Sequence, residues 1–211
     1  MRIKTFTFNP FQENTYILYD ETKDCVIIDP GCYEKFEKDE LANFIETNHL
    51  KPVRLLNTHC HIDHVLGNYF VADRYQLKLE IHQGELQQLR ATAVYGPTYG
   101  IFMEPSPEPS SFLNEGDAVK FGNTTLEIFF TPGHSPASIC FYNRDEKKLI
   151  AGDVLFYQSI GRTDLPGGNH HQLLNSIREK LFVLPDDVIV YPGHGPETKI
   201  GFEKKYNPFL V

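Results

Sequence analysis

Thr58-His59-Cys60-His61-Ile62-Asp63-His64 packs three imidazoles and a carboxylate into consecutive positions. A core has no use for such density, because each buried ring would need its own hydrogen-bond partner, whereas a bound cation satisfies them together. The run offers two geometric sets. His59 and His61 alternate as side chains do at a strand end and face one side, while Asp63 and His64 follow a further bend and are free to face a second ion. The same alternation turns Cys60 away from the ligands.

Four residues cannot fill two coordination shells, so further ligands are expected downstream. His134 lies in Thr131-Pro132-Gly133-His134-Ser135-Pro136, after the apolar stretch at 126–130. Asp153 follows Leu149-Ile150-Ala151-Gly152, and His194 lies in Tyr191-Pro192-Gly193-His194-Gly195-Pro196, after Val188-Ile189-Val190. In each case a strand-like run ends, Gly or Pro turns the backbone, and one ligating side chain is presented. Singly, each would read as an ordinary turn residue; the ordered set reverses that. Asp29, after Val26-Ile27-Ile28, fits either a residue that orients a ligand or a plain Asp-Pro-Gly turn.

This ordered set resembles the metallo-β-lactamase superfamily, whose signature is His-x-His-x-Asp-His followed by a His, an Asp and a His. Within it the chain is most similar to the short glyoxalase II-like (hydroxyacylglutathione hydrolase-like) branch. The resemblance runs through Ile28-Asp29-Pro30-Gly31, the 58–64 run, Gly133-His134-Ser135, Gly152-Asp153-Val154-Leu155-Phe156, Ser159-Ile160-Gly161-Arg162-Thr163-Asp164 and Tyr191-Pro192-Gly193-His194-Gly195-Pro196-Glu197-Thr198. It spans nearly the whole chain.

The resemblance implies an α/β fold, an αββα sandwich of two mixed β-sheets flanked by helices, as a single domain over residues 1–211. It implies two divalent metal ions, with His59, His61 and His134 on one, Asp63, His64 and His194 on the other, and Asp153 bridging. Zinc is the first choice, and iron and manganese suit the same nitrogen and oxygen ligands. Asp63 and Asp153 carry the catalytic assignment. The implied reaction is hydrolysis of a 2-hydroxyacyl thioester such as S-lactoylglutathione by a metal-bridging hydroxide. A thiolate leaves without strong protonation, so no dedicated general acid is needed. Full-length glyoxalase II enzymes add a C-terminal helical domain that grips glutathione; none is expected here. Arg162 and Asp164 are the remaining candidates for substrate contacts, and a loop-fixing ion pair between them fits equally well. Two departures stand out: Gly195-Pro196-Glu197 follows His194, and Ala137 replaces a glycine common after the third histidine.

Composition agrees with one globular enzyme. A chain of 211 residues buries roughly 70% of its unfolded surface. No apolar run reaches membrane-spanning length, and the chain enters the alternating Ile3, Phe6, Phe8 region almost at once, so a cytoplasmic location is the default. Cys25, Cys32, Cys60 and Cys140 form no Cys-x-x-Cys pair, which argues against a thiolate zinc site or a disulfide framework. The formal charge of -8 disfavours a nonspecific grip on nucleic acid. The expected partner is a small-molecule thioester, with neither nucleic acid nor membrane.

Strands are expected at 3–8, 15–19, 25–28 and 53–57. A helix is expected through Phe36, Leu41, Phe44 and Ile45 after a turn at Gly31. A second follows the N-cap Asn169, with Leu173, Leu174, Ile177 and Leu181 on one face. Residues 95–110, rich in Pro and Gly, read as a long loop near the mouth of a site or a surface excursion. Strands over 118–150, a helix and a strand at 188–190 complete the second half. His49, His82, His170 and His171 read as surface or helix-end residues.

Other chemistries compete with thioester hydrolysis. Persulfide dioxygenases share most of the motif, including an Arg-Thr-Asp loop, but use a single iron and dioxygen. A β-lactamase fits less well with the Asp63 and Asp153 pairing, and the flavodiiron pattern has Glu where this chain has His61. A non-catalytic metal-binding module would not need all seven ligands.

Overall fold

The computed structural model describes residues 1–211 as two compact units, one of residues 1–112 and 120–124, the other of residues 113–119 and 125–211. Each carries one six-stranded mixed sheet, so the α/β class with two mixed sheets and helices holds.

The first unit contains β1 (Arg2–Phe8), β2 (Glu13–Tyr19), β3 (Asp24–Ile28), β4 (Lys51–Leu56), β5 (Leu79–Ile81) and β6 (Ser111–Phe112), in that spatial order. β1, β2 and β3 run antiparallel; β3 to β6 are parallel neighbours. The helix α1 (Lys35–Thr47) makes the crossover between the parallel pair β3 and β4, as such a pair requires. Leu41 and Ile45 of α1 pack with Ile17, Ile27 and Leu55 of the sheet, each burial worth about 1.5–3 kcal/mol. Phe36, expected on the packed face, stands exposed. The helix starts on a capping interaction in place of the Gly31 turn: Glu37 Oε2 accepts from the backbone amides of Tyr33 (2.7 Å) and Glu34 (2.9 Å), satisfying donors that the first turn leaves orphaned. Three helices were not foreseen: α2 (Ile62–Val65), α3 (Asn68–Tyr75) and α4 (Leu86–Tyr95).

The second sheet, in the second unit but for residues 120–124, contains β7 (Ala118–Phe121), β8 (Thr124–Phe130), β9 (Ile139–Asn143), β10 (Lys148–Gly152), β13 (Ile189–Pro192) and β14 (Thr198–Lys199), ordered β14-β13-β10-β9-β8-β7, with a small β11–β12 hairpin (Leu155–Phe156, Ser159–Ile160) nearby in sequence. In this sheet β10 and β13 are parallel neighbours, and α5 (His170–Ser176) lies in the connection between them. Asn169 caps α5 as expected, its side chain accepting from Gln172 N at 3.0 Å. Leu173, Ile177 and Leu181 are fully buried and Leu174 partly so. Their strict spacing of four would precess by about 40° per step on a 3.6-residue helix; the helix widens into a π turn over Ile177–Leu181, which reverses that drift. The helix α6 (Ile200–Tyr206) follows β14. No helix is long and apolar enough to cross a membrane.

Candidate metal centre

In the first unit the histidine run begins where β4 ends, beside the end of β3, because Ile28 pairs with Leu56. The next residue after β3 is Asp29, fully buried and in the left-handed region at φ 49°, where Asp is among the better-tolerated side chains. That turn aims its carboxylate at the incoming run. Oδ1 accepts from Thr58 N (2.7 Å) and Asn57 Nδ2 (3.3 Å). Oδ2 accepts from Thr58 Oγ1 (2.5 Å) and lies 3.1 Å from His64 Nδ1. Of the two readings open for Asp29, the geometry is that of an orienting residue: it grips both ends of the run, and its ligand atom lies within 4.8 Å of those of His59 and His64.

The rings crowd together. His59 and His61 meet edge to face with centroids 4.8 Å apart, and His59 and His64 lie 4.1 Å apart. All three are buried. Asp63 Oδ2 lies 3.6 Å from His64 Nε2. His59 Nδ1 contacts Thr58 Oγ1 at 3.1 Å. Asn57, unnoticed in the sequence, donates to His64 O (2.9 Å) and accepts from the buried Asn68 (2.8 Å). Glu13, also unnoticed, is fully buried 3.8 Å from His64 Nδ1. Burial pushes its carboxyl well above the ordinary range, against the opposing pull of His64. Cys60 turns into the core as alternation required, its amide donating to buried Glu85 (2.9 Å), and burial raises its thiol well above the usual value. A thiol so held is a packing group and not a nucleophile.

The second unit gathers the remaining candidates. β10 and β13 are parallel neighbours, with Gly152 opposite Pro192, so Asp153 and His194 emerge side by side. His194 Nε2 lies 3.5 Å and His134 Nε2 3.4 Å from the same Asp153 Oδ2. His134 is presented by a turn that needs Gly133 at φ 135°, where a Cβ would meet the Leu173 backbone at 2.3 Å. Its Nδ1 is 2.8 Å from Arg162 O. Gly161 permits this closeness, since a Cβ there would fall 2.0 Å from Asp153 O and 3.0 Å from His134 Cβ. Arg162 itself points elsewhere: its exposed guanidinium pairs with Asp164 through two 2.7 Å bonds, and that bond lowers the Asp164 carboxyl to about 2. The loop-fixing ion pair is therefore formed. His49 follows α1, His82 starts a 3-10 turn, and His170 and His171 open α5.

The donor set is of a chemistry that fits divalent ions, with ligand atoms of His59, His61 and His134 and of Asp63, His64 and His194 each within 4.8 Å of one another. His59, His64 and His134 each have Nδ1 engaged, by a hydroxyl, a carboxylate and a carbonyl, so Nε2 is the nitrogen that would ligate a metal. Buried imidazoles and carboxylates of this kind suit zinc, iron or manganese.

A metallo-beta-lactamase superfamily model matches residues 8–194. The probable metallo-hydrolase YqgX of Bacillus subtilis is 39% identical, over 100% of this chain and 98% of its own length. The hydroxyacylglutathione hydrolase GloC of Haemophilus influenzae is 35% identical over the same shares. Among solved structures, BLEG-1 B3 metallo-beta-lactamase superposes with a TM-score of 0.91 at 38% identity over all of both chains. TTHA1623 in a di-iron-bound form gives 0.88 at 34% over 98% of this chain and 100% of its own. The chain belongs to the metallo-β-lactamase superfamily, in its short glyoxalase II-like branch.

Proposed function

We propose that the protein is a dinuclear metallohydrolase that cleaves a 2-hydroxyacyl thioester such as S-lactoylglutathione. In this reading the two units act as one metallo-β-lactamase-like domain. His59, His61 and His134 would hold one ion and Asp63, His64 and His194 the other, with Asp153 contributing its carboxylate to the centre. The observation that carries it is the anchoring of three histidines through Nδ1, with Nε2 of His64 beside Asp63 and those of His134 and His194 beside Asp153. Two bound cations would lower the pKa of water to about 7 and polarise the scissile carbonyl.

The chain's own residues set up that chemistry. Asp29 fixes the His64 tautomer, Thr58 lies against the His59 ring nitrogen, and the Arg162 carbonyl holds His134. Asp63 and Asp153 bring the negative charge that offsets two cations. A thiol of pKa about 8.5 leaves as thiolate, so the residues need supply no strong acid. The name of the GloC relative, a hydroxyacylglutathione hydrolase, supports this substrate class. β-Lactam hydrolysis is the second reading, favoured by the likeness to BLEG-1. Zinc is the proposed metal, with iron supported by the di-iron form of TTHA1623.

The test is elemental analysis of protein purified without added metal, combined with three assays. Two equivalents of metal with thiol release from S-lactoylglutathione are expected. Cleavage of a chromogenic cephalosporin without thiol release would overturn the thioester reading in favour of a lactamase. One iron with oxygen uptake on glutathione persulfide would overturn it in favour of a dioxygenase.

A further inference from the structure

The short β11–β12 hairpin touches every candidate ligand of the second unit. It leaves directly from Asp153, and Gly161 brings its returning strand back against the Asp153 carbonyl, with Gly161 N donating to Val154 O at 3.4 Å. Phe156, on its first strand, meets the His194 ring at 6.3 Å with the planes 67° apart. Arg162 O, just past its second strand, accepts from His134 Nδ1 at 2.8 Å. The ladder has two residue pairs, Leu155 with Ile160 and Phe156 with Ser159. It is too short to hold that geometry alone, since even a full isolated hairpin is marginal in water.

The hairpin is held from α6. Glu203, fully buried, accepts at Oε2 from the Gln158 backbone amide at the hairpin tip (3.0 Å) and from Asn207 Nδ2 (2.8 Å), while Oε1 accepts from Thr198 Oγ1. Asn207, also fully buried, donates from the same Nδ2 to Ser159 O (3.0 Å), and its Oδ1 accepts from Phe209 N (3.1 Å). Tyr157 stacks on Phe202 of the helix at 5.2 Å, the planes 15° apart. Gln158 sits at φ 53°, a conformation that a non-glycine residue keeps where its surroundings fix it. A buried carboxyl and a buried amide are costly unless bonded, and the bonds these two make converge on the hairpin tip.

We propose that Glu203 and Asn207 are positioning residues for the metal ligands of the second unit: α6 latches the hairpin tip, and the latched hairpin sets His134, Asp153 and His194 before any ion arrives. The inference rests on the metallohydrolase reading for its ions and is independent of the substrate.

The test compares Glu203→Leu, Asn207→Asp and Glu203→Gln with the wild type, each metal-free and zinc-loaded. Glu203→Leu removes the acceptor of the Gln158 amide, and Asn207→Asp puts an acceptor where Ser159 O needs a donor. Each should weaken zinc about tenfold in chelator competition and shift the ¹⁵N signals of the His134 ring, while the His64 ring, fixed by Asp29 in the first unit, keeps its own. Glu203→Gln should bind zinc as the wild type does, because its oxygen can accept from the tip while its nitrogen donates to Thr198 Oγ1, a hydroxyl able to accept. Native affinity with unmoved His134 signals in folded Glu203→Leu or Asn207→Asp overturns the proposal. So does equal disturbance of the His64 and His134 rings, the mark of a general loosening, or a loss in Glu203→Gln as large as in Glu203→Leu, which would make charge and not the bond responsible. Should neither disruptive variant fold, amide exchange in the metal-free wild type decides: a protected Gln158 N–H sustains the latch, and exchange at the rate of an open loop overturns it. A wild type that takes up no zinc, with His134 signals that still shift in the latch variants, would refute the metal reading and leave the latch standing.

Discussion

Asp29→Asn isolates the orienting carboxylate at almost constant volume. In the native protein Oδ2 accepts from Thr58 Oγ1 and faces His64 Nδ1 at 3.1 Å, which keeps the imidazole proton on Nδ1 and the lone pair on Nε2. An amide can still accept from Thr58 N through its oxygen, but its nitrogen then faces His64 and donates. Nδ1 must become the acceptor, and the proton moves to Nε2, the nitrogen needed for the metal. Loss of such an orienting partner costs ten- to a hundredfold in metal affinity, about 1.4–2.8 kcal/mol. Stability without metal should fall by about 1–3 kcal/mol, since the two contacts of Oδ2, with Thr58 Oγ1 and His64 Nδ1, must both reverse their donor and acceptor roles while the two of Oδ1 persist. Chelator-competition titration reads the affinity, denaturant unfolding the stability, and ¹⁵N chemical shifts of the His64 ring the tautomer. Wild-type affinity together with an unchanged tautomer would refute the reasoning.

Asp153→Ala should lower bound metal and abolish hydrolysis while circular dichroism stays native; full occupancy with normal turnover would exclude a shared ligand. Arg162→Ala should leave metal content and kcat unchanged and raise KM no more than about tenfold on a charged thioester, because the guanidinium already pairs with Asp164; kinetics with charged and uncharged substrates separate this from a loop defect. Burial holds the Cys25 and Cys32 thiols up at about 12, above the unfolded value near 8.5. Their contribution is fully present below pH ~8.5 and is lost as pH rises toward 12, because the unfolded chain then binds fewer protons. Stability should decline by up to about 1.4 kcal/mol per pH unit per thiol across that window, and a thiol reagent at pH 8 should label the chain only after denaturation.

The metal-binding run was legible because polar density of that kind has no packing explanation, and the downstream candidates because each follows an apolar run and a Gly or Pro turn. Asn169 was legible for a local reason: its bond to Gln172 spans three residues. Asn57, Asn68, Glu13 and Glu85 were not, because a buried polar residue is explained by partners distant in sequence, as Cys60 is for Glu85. α3 and α4 escaped because only Val71 among the apolar residues of α3, and Leu89 in α4, are buried, too few to mark a helical face. The 95–110 stretch reads as a loop in sequence, yet its first part is a 3-10 turn, Gly96–Tyr99, which has no apolar period to reveal it. Arg162 and Asp164 left two readings open, and only side-chain geometry revealed their mutual bond.

In each sheet the candidate site residues leave from carboxyl strand ends, Asp29 and the histidine run from the parallel neighbours β3 and β4, Asp153 and His194 from the parallel neighbours β10 and β13, and His134 after β8, an arrangement that separates chemistry from connectivity. The opposite ends of the same strands are joined by exposed turns with left-handed residues, Lys23 before β3 and Lys147 before β10. These turns hold none of the candidate ligands, so they are natural places to graft an affinity tag or a fluorophore, or to open a circularly permuted chain. The ligand-bearing edge would keep its strand ends intact through such engineering, whereas Gly161 and the Arg162 carbonyl tie the 157–168 loop to Asp153 and His134, so that loop has to keep its sequence there.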